Sequence, residues 1–263
     1  GLIDLRVKTG EPGDEQKETL ATASRAAVAG GVTSFVVMPD TRPTVDDVAL
    51  VRFIRERARE TARARIYPSG ALTVGLGGEF MAEIGLMADA GAIAFTNGDM
   101  PVANASIMKR AMVYAASRGA LVMSRPDDRA LSGSGVMNAG AFAARFGLSG
   151  IPVEAEWIGA ARDVMLAETT GCRLLLDQVS TARTLEIVAE ARARGAKVHA
   201  TVAAHTLFFN ERDVGDYLTY CKVNPPFRDE DTRQGLIAAL KRGEIDAVVS
   251  AHDPQPPEEK RLP

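Results

Sequence analysis

The chain has 263 residues, of which 46% are hydrophobic and 25% charged, with a formal net charge of −3. This length fits one large α/β domain, so we predict a single domain over residues 1–263. The balanced charge offers no basic stripe for nucleic acid, and no run of ~20 apolar residues predicts a membrane span. Cys172 and Cys221 do not suggest a disulfide framework and are typical of a reducing, cytoplasmic setting.

Short runs rich in Val, Ile and Leu alternate along the chain with longer segments of helical period. The predicted strands are Leu2–Val7, Thr33–Met38, Ile66–Ala71, Ala92–Thr96, Leu121–Ser124, Arg173–Asp177, Lys197–Val202 and Ala247–Ser250. The predicted helices include Glu15–Ala29, Val45–Glu60, Ile107–Arg118, Val153–Thr169, Ala182–Arg194 and Asp231–Arg242. This alternation predicts an α/β fold with a parallel sheet, arranged as a (β/α)8 TIM barrel.

In such barrels the chemistry lies at the carboxyl ends of the strands. The first strand ends in a tract that carries Arg6, Lys8 and Gly10. A guanidinium group has no lone pair to give to a metal ion, and a protonated ammonium group has only donors. This strand end is therefore unsuited to zinc.

Six tracts of the chain resemble, in order and at similar spacing, those of dihydroorotases in the amidohydrolase superfamily. They are GLIDLRVKTGEPG at 1–13, GGVTSFVVMPDTRP at 30–43, SGSGVMN at 132–138, QVSTAR at 178–183, KVNPPFR at 222–228 and EIDAVVSAHDPQ at 244–255. The resemblance implies a TIM barrel of the metal-dependent amidohydrolase type. It also implies a small flanking β domain, which we predict is missing or truncated here, so that the chain is a fragment of a longer one.

The resemblance further implies which positions held the family's metal and substrate. A His-x-His zinc pair aligns with Arg6 and Lys8, and a substrate-gripping Arg aligns with Gly10. The remaining ligand and contact positions are occupied here by Asp40, Asn97, Ser124, Gln178 and Ala251. We therefore predict that these are degenerate barrel-mouth positions, that the chain has no catalytic residue, and that it holds no cofactor, the family's zinc having been lost.

Neighbouring residues do not restore the ligand set. Asp253 lies two residues beyond the aligned Ala251, a displacement of roughly 7 Å along a strand, which is too far for a ligand at ~2 Å. We interpret His252 and Asp253 as loop residues that form hydrogen bonds. His199 and His205 have no second His or Cys at ligand spacing, so we interpret them as structural.

Arg6 and Lys8 instead predict a cation-carboxylate network at the barrel mouth, with Asp40, Asp177 or Asp253 as partners. Two alternatives remain open. Both cations can extend to solvent, as long basic side chains readily do. Lys8 can also act as a base or Schiff-base nucleophile if its pKa is lowered.

Together these features predict an inactive dihydroorotase homologue in the cytoplasm. The resemblance implies a scaffold subunit that binds aspartate carbamoyltransferase in pyrimidine biosynthesis, as a homo-oligomer that binds neither nucleic acid nor membrane. One alternative is a dihydroorotase-type or other cyclic-amide hydrolase with a rewired or metal-poor site. Another is a regulatory module that binds a small anion at Arg6 and Lys8.

Overall fold

The computed structural model describes residues 1–216 and 218–261. Strands β1 to β11 are Leu2–Val7, Val32–Val37, Arg65–Pro68, Gly70–Ala71, Ala94–Thr96, Leu121–Ser124, Met137–Asn138, Gly150–Ile151, Arg173–Leu176, Val198–Ala203 and Ala247–Val249. Helices α1 to α11 are Leu20–Ala29, Val48–Thr61, Ile84–Ala90, Ala105–Ser117, Arg129–Ser132, Ala141–Phe146, Val153–Thr170, Ala182–Ala193, Ala204–Phe208, Glu230–Arg242 and Pro257–Lys260. Strands and helices thus alternate along the chain, as the sequence predicts.

The chain divides into two compact units, and the prediction of a single domain remains a prediction. Unit 1 contains residues 1–124, 170–174 and 250–255. In it β1 pairs with β2 and β2 with β3, all parallel, while β4, β5 and β6 form a second parallel ladder. The largest buried side chains of this unit include Phe35, Phe95, Leu72, Ile84, Met87 and Met112.

Helix α1 begins at Leu20, five residues later than the sequence predicts. Thr19 caps it by accepting a hydrogen bond from the Thr22 amide at 3.1 Å. The residues before Thr19 form turns, in which the Lys17 amide donates to the Asp14 carbonyl at 2.9 Å. These turns make the loop after β1 long enough to line a cavity at the strand ends.

The predicted third strand is interrupted at Ser69. Both the amide and the hydroxyl of Ser69 donate to the Val37 carbonyl, at 3.0 and 2.6 Å, which anchors this residue to the end of β2. The strand therefore divides into β3, paired with β2, and β4, paired with β5. Gly70 is needed at the break, since a Cβ there would lie 2.9 Å from the Phe95 ring.

Unit 2 contains residues 125–169, 175–249 and the described residues from 256 to 261. Within it β10 pairs with β11 and β7 with β8, both parallel. The sequence does not predict the short elements α5, α6, β7, β8 and α9, because two to six residues carry too little periodicity to be recognised. In the part of the chain that the structure describes, no helix has the length and apolarity to cross a membrane.

Candidate active site

Strand β1 places two cationic side chains on one face, because residues two apart in a strand point the same way. Arg6 lies within the strand, and its side chain is 4% exposed. Lys8 follows directly after the strand, and its side chain is 16% exposed. The alternative that both cations extend to solvent is therefore wrong.

Three carboxylates surround these cations. The Arg6 guanidinium donates to Asp99 at 2.6 Å, and the Lys8 ammonium contacts Asp99 and also lies 2.7 Å from Asp40 and 3.4 Å from Asp253. We call Arg6, Lys8, Asp40, Asp99 and Asp253 the Lys8 cluster. All five belong to unit 1, and the network predicted from the sequence is present with Asp40 and Asp253 as partners.

The environment of Lys8 determines its protonation state. Burial lowers the pKa of its ammonium group, and Arg6 lowers it slightly. The negative charges of Asp99, Asp40 and Asp253 raise the pKa, and together they outweigh both effects. The pKa of Lys8 is therefore raised above its ordinary value. Lys8 remains an ammonium ion at neutral pH, so the hypothesis that it acts as a base or Schiff-base nucleophile is not supported by this site.

Asp99 is the member of the cluster that sequence reasoning missed. It lies three residues beyond the end of β5 and is not among the partners that the sequence predicts. Gly98 has φ +57°, a left-handed conformation that returns the chain toward β1, and its backbone passes close to the Asp40 side chain. The Asn97-Gly98-Asp99 sequence was the available signal, because Asn and Gly favour such turns.

Two other predicted positions have structural roles nearby. The Asn97 side chain accepts a hydrogen bond from the Thr73 amide at 3.1 Å and donates to the Thr73 hydroxyl at 2.8 Å. A Cβ at Gly10 would lie 1.8 Å from the Asp14 carbonyl oxygen, so the present backbone admits only glycine. Gly10 therefore contributes main chain, and no side chain, to the site.

The last predicted positions lie at strand ends in the two units. Ser124, in unit 1, is buried at the end of β6. Ala251 in unit 1 and Gln178 in unit 2 have φ values of +55° and +56°, which is unusual for residues other than glycine. Such backbone strain is concentrated at functional sites in proteins.

The histidines and Asp177 form local contacts of the kind expected for structural residues. His252 lies 2.5 Å from Glu18 in unit 1, and His199 lies 2.8 Å from Asp246 in unit 2. His205 packs edge-on against the Phe227 ring, and burial lowers its pKa. Asp177, also named as a partner for the cations, accepts a hydrogen bond from the Thr201 hydroxyl at 2.9 Å.

Unit 2 contains a buried network that the sequence did not reveal. The Glu156 carboxylate accepts hydrogen bonds from the amides and hydroxyls of Ser180 and Thr181 and from the Thr184 hydroxyl. Arg228 lies 3.9 Å from this carboxylate and donates to the Ser180 hydroxyl at 3.0 Å. We call Glu156, Ser180, Thr181, Thr184 and Arg228 the Glu156 cluster.

A polar cavity of about 160 Å³ adjoins the Lys8 cluster in unit 1. Its walls include Lys8, Asp40 and Asp253 from the cluster and Lys17 and Arg42 from the loops after β1 and β2. The cavity therefore combines an ammonium donor, carboxylate acceptors and access from solvent at the carboxyl end of β1.

The family resemblance implies zinc, but the residues present do not fit a zinc ion in this arrangement. Within residues 1–216 and 218–261, no three His, Cys, Asp or Glu side chains are grouped so that they could hold a metal ion. The three carboxylates of the Lys8 cluster face the Lys8 ammonium, a group that can only donate.

Residues 1–184 match the model of the dihydro-orotase-like family. The chain belongs to this family. It is 43% identical to the dihydroorotase of Desulforapulum autotrophicum over 262 residues, covering 100% of this chain and 62% of that protein. It is 44% identical to the dihydroorotase of Pelotomaculum thermopropionicum over 260 residues, covering 99% and 61%. The chain thus spans about three fifths of the length of these relatives.

The fold is shared with solved hydantoinases. The L-hydantoinase of Arthrobacter aurescens superposes with a TM-score of 0.85 at 24% identity, covering 99% of this chain and 59% of that one. The D-hydantoinase of a Thermus species gives a TM-score of 0.78 at 20% identity, covering 98% and 59%. These similarities confirm the predicted α/β fold of amidohydrolase type.

Family membership corrects three predictions. The predictions of a non-catalytic scaffold and of a protein that is not an enzyme are wrong, since relatives named dihydroorotase match along the whole chain at 42–44% identity. The prediction that no cofactor is involved is likewise overturned, because zinc is the metal that the resemblance associates with active members. These predictions took the loss of aligned ligands as loss of function, whereas the alternative of a dihydroorotase-type hydrolase agrees better with the relatives.

Proposed function

We propose that the full-length protein is a cyclic-amide hydrolase of the dihydroorotase type, and that its reaction takes place at the Lys8 cluster. The observation that carries this proposal is the identity of 42–44% to dihydroorotases along the whole chain. The polar cavity beside Lys8, at the strand ends where barrel enzymes carry their chemistry, supports the location.

A site that opens a cyclic amide must support three events. First, water must lose a proton as its oxygen bonds to the ring carbonyl carbon. Second, the carbonyl oxygen must be stabilised as it gains negative charge, and third, the ring nitrogen must take a proton as its bond to carbon breaks. A positioned carboxylate commonly accepts the first proton, and fixed donors stabilise the oxyanion.

The Lys8 cluster contains groups suited to the first two events, the deprotonation of water and the stabilisation of the carbonyl oxygen. Asp253 is the most exposed of its carboxylates, at 38%, and it lies farthest from the Lys8 ammonium. Its second oxygen accepts a hydrogen bond from the Gln255 side-chain Nε2 at 2.7 Å, which orients the carboxylate. We assign Asp253 as the base for water and Lys8 as the donor to the developing oxyanion, and Asp253 then passes the proton taken from water to the ring nitrogen as its bond to carbon breaks.

Asp40 and Asp99 have a different role in this proposal. They keep Lys8 charged, since they raise its pKa, and they hold its ammonium group in place. When the substrate carbonyl approaches, Lys8 exchanges its longest contact, that with Asp253, for the carbonyl oxygen. The same exchange releases Asp253 to accept a proton from water.

The test is turnover by the full-length protein. Purified protein is assayed for opening of dihydroorotate and for the reverse cyclisation of the ureido acid product, and Asp253→Asn is compared with wild type. We expect kcat to fall at least about 100-fold in Asp253→Asn, the usual range for loss of a general base. The matched control is Asp89→Asn, an exposed carboxylate paired with Arg118, which we expect to keep wild-type kcat. Absence of turnover in wild type, or full turnover in Asp253→Asn with a native circular dichroism spectrum, contradicts the proposal.

Association and location are separate proposals. On the family resemblance alone, we propose that this protein binds aspartate carbamoyltransferase. On the same ground we propose that it is a homo-oligomer in the cytoplasm and that it binds neither nucleic acid nor membrane. Co-expression followed by size-exclusion chromatography tests the partner: elution of the two proteins in one peak supports it, and elution in separate peaks contradicts it.

A further inference from the structure

A second cavity of unit 1, of about 560 Å³, shares none of its described lining residues with the cavity beside the Lys8 cluster. Its walls come from helix α2, strand β3, the turn that ends α3 and the residue before β5. Cavities that bind small ligands and cofactors are typically about 300–1,000 Å³. The size of this cavity therefore suits a small molecule, and the proposed chemistry does not use it.

Three arginines give this cavity a positive charge. Arg55 and Arg59 lie one turn apart on α2, and Arg65 begins β3. Within residues 1–216 and 218–261, none of the three forms an ion pair with a carboxylate, and no Asp or Glu lines the cavity. Like charges at positions i and i+4 of a helix repel each other, so an anion placed between Arg55 and Arg59 would be attracted by both.

The carboxyl end of α2 does not cancel this charge. The helix ends at Thr61, and Arg59 lies in its last turn, where a cation interacts favourably with the helix dipole. The partial charge of a helix end is only about half an elementary charge, however, and guanidinium groups stay protonated in proteins. The three arginines therefore leave the cavity with an excess of positive charge.

The Arg55 guanidinium is held at the cavity wall by the end of α3. Its Nη1 donates to the Ala90 carbonyl. Gly91 follows with φ +109°, and a Cβ there would lie 2.6 Å from the same nitrogen. Glycine thus leaves the space that the guanidinium occupies. A guanidinium has more N–H donors than this one contact uses, so Arg55 can also donate to a ligand.

Tyr67 and Ile93 add an apolar surface to the same cavity. Arg65 and Tyr67 lie two residues apart in β3, so their side chains point to the same face. Tyr67 is 39% exposed and Ile93 is 47% exposed. The small side chains of Ala58 and Ala62 on α2 leave room beside them. An aromatic ring at this place can pack against the planar or apolar part of a ligand whose charge lies at the arginines.

We propose that this cavity binds the phosphate group of a small phosphorylated metabolite. Arg55, Arg59 and Arg65 donate to the phosphate, and Tyr67 packs against the rest of the molecule. A phosphate monoester carries close to two negative charges at neutral pH and three acceptor oxygens, so several guanidinium groups can bind it at once. The site is separate from the Lys8 cluster, so this inference does not depend on the proposed function.

The test is calorimetry on the full-length protein with inorganic phosphate, pyrophosphate, adenosine monophosphate and adenosine as probes. We expect the three phosphorylated probes to bind and adenosine to bind far more weakly than its monophosphate. The double variant Arg59→Gln, Arg65→Gln should raise Kd for pyrophosphate and adenosine monophosphate at least about 10-fold. A charge-assisted hydrogen bond typically contributes at least the free energy of such a change. Tyr67→Ala should raise Kd for adenosine monophosphate and leave Kd for pyrophosphate unchanged.

The matched control is the double variant Arg52→Gln, Arg63→Gln. It removes the same charge from exposed arginines that do not line the cavity, so Kd should stay at its wild-type value. Circular dichroism confirms that each variant is folded. Failure of wild type to bind any phosphorylated probe at millimolar concentration overturns the inference. An equal rise of Kd in the two double variants also overturns it, because binding would then follow net charge and not this cavity. Adenosine that binds as tightly as its monophosphate would likewise reject recognition of the phosphate.

Discussion

The Lys8 cluster of unit 1 and the Glu156 cluster of unit 2 are both built from carboxylates and cations, but they differ in charge balance and exposure. In the Lys8 cluster three carboxylates share two cations, and Asp99 and Asp253 are each about a third exposed. In the Glu156 cluster one carboxylate faces one guanidinium, and both side chains are 4% exposed.

This difference separates a site that can exchange partners from one that holds the fold together. Hydroxyl and amide donors complete the coordination of Glu156, so any rearrangement would leave a buried polar group without a partner. The Lys8 ammonium has one longer contact beside a cavity, so a ligand oxygen can take that place. The Glu156 cluster is therefore suited to stability and the Lys8 cluster to chemistry.

The largest stability effect is expected for Glu156→Ala. Removal of the carboxylate leaves Arg228 charged and buried and deprives the hydroxyls of Thr181 and Thr184 of their acceptor. We expect the free energy of unfolding to fall by about 3–5 kcal/mol, as for other broken buried pairs. Urea unfolding of the full-length protein, followed by circular dichroism, measures the change.

The control for this experiment lies on the same helix. Glu154 is exposed two residues earlier on α7, so Glu154→Ala should change the free energy of unfolding by no more than about 0.5 kcal/mol. Equal losses of unfolding free energy in Glu156→Ala and Glu154→Ala would show that the buried network does not stabilise the fold more than an exposed side chain does.

A smaller effect is expected for Lys8→Met. The change leaves Arg6 alone with three carboxylates, but the cluster is partly solvated, so the expected loss is about 1–3 kcal/mol, between the values for exposed and buried pairs. The double variant Lys8→Met, Asp40→Asn should recover part of this loss, because it removes a carboxylate whose contact with the Lys8 ammonium is gone, whereas Asp99 still contacts Arg6. A double variant less stable than Lys8→Met contradicts the assignment of Asp40 as a partner of Lys8.

The contribution of Lys8 to the free energy of unfolding should be lost only as the pH rises, and not as it falls. Its pKa is raised in the folded state above the ordinary value of 10.5, so its contribution is complete below that value and is lost as the pH rises through the higher folded-state pKa. The difference in unfolding free energy between wild type and Lys8→Met should therefore be constant from about pH 7 to pH 10. A difference that shrinks already by about pH 8 would mean that the carboxylates do not keep Lys8 charged.

The smallest effect concerns the edge of the Glu156 cluster. The Trp157 indole nitrogen donates to the Thr181 hydroxyl at 2.9 Å. Trp157→Phe keeps an aromatic ring and loses this hydrogen bond, so we expect a loss of about 1 kcal/mol in urea unfolding. A loss as large as that of Glu156→Ala would mean that packing of the indole, and not the carboxylate, holds the cluster.

Much of the fold could be predicted from the sequence, because long strands and helices carry a clear period. Strands β1 and β6 have the predicted bounds, and helix α7 differs by one residue. The late start of α1 could not be predicted so well, since residues 15–17 form a turn, with the Lys17 amide donating to the Asp14 carbonyl, in a segment that otherwise favours helix. The break at Ser69 depends on a tertiary contact with β2, which no local pattern contains.

The candidate site was predicted in part. Alternation along β1 correctly placed Arg6 and Lys8 on one face, and opposite charge indicated Asp40 and Asp253 as partners. Asp99 was missed because its place depends on the backbone turn at Gly98. The function was misjudged, because comparing each position with an expected ligand does not show what the replacements form together.

The central claim is that the Lys8 ammonium stabilises the negative charge that develops when a cyclic amide is opened. The most direct measurement is kcat for dihydroorotate opening by full-length wild type and by Lys8→Met, with circular dichroism to confirm that both are folded. Loss of a single donor to a developing oxyanion typically costs about 100-fold to 1,000-fold in kcat, and we predict a fall in this range. A folded Lys8→Met variant that retains wild-type kcat would contradict the account.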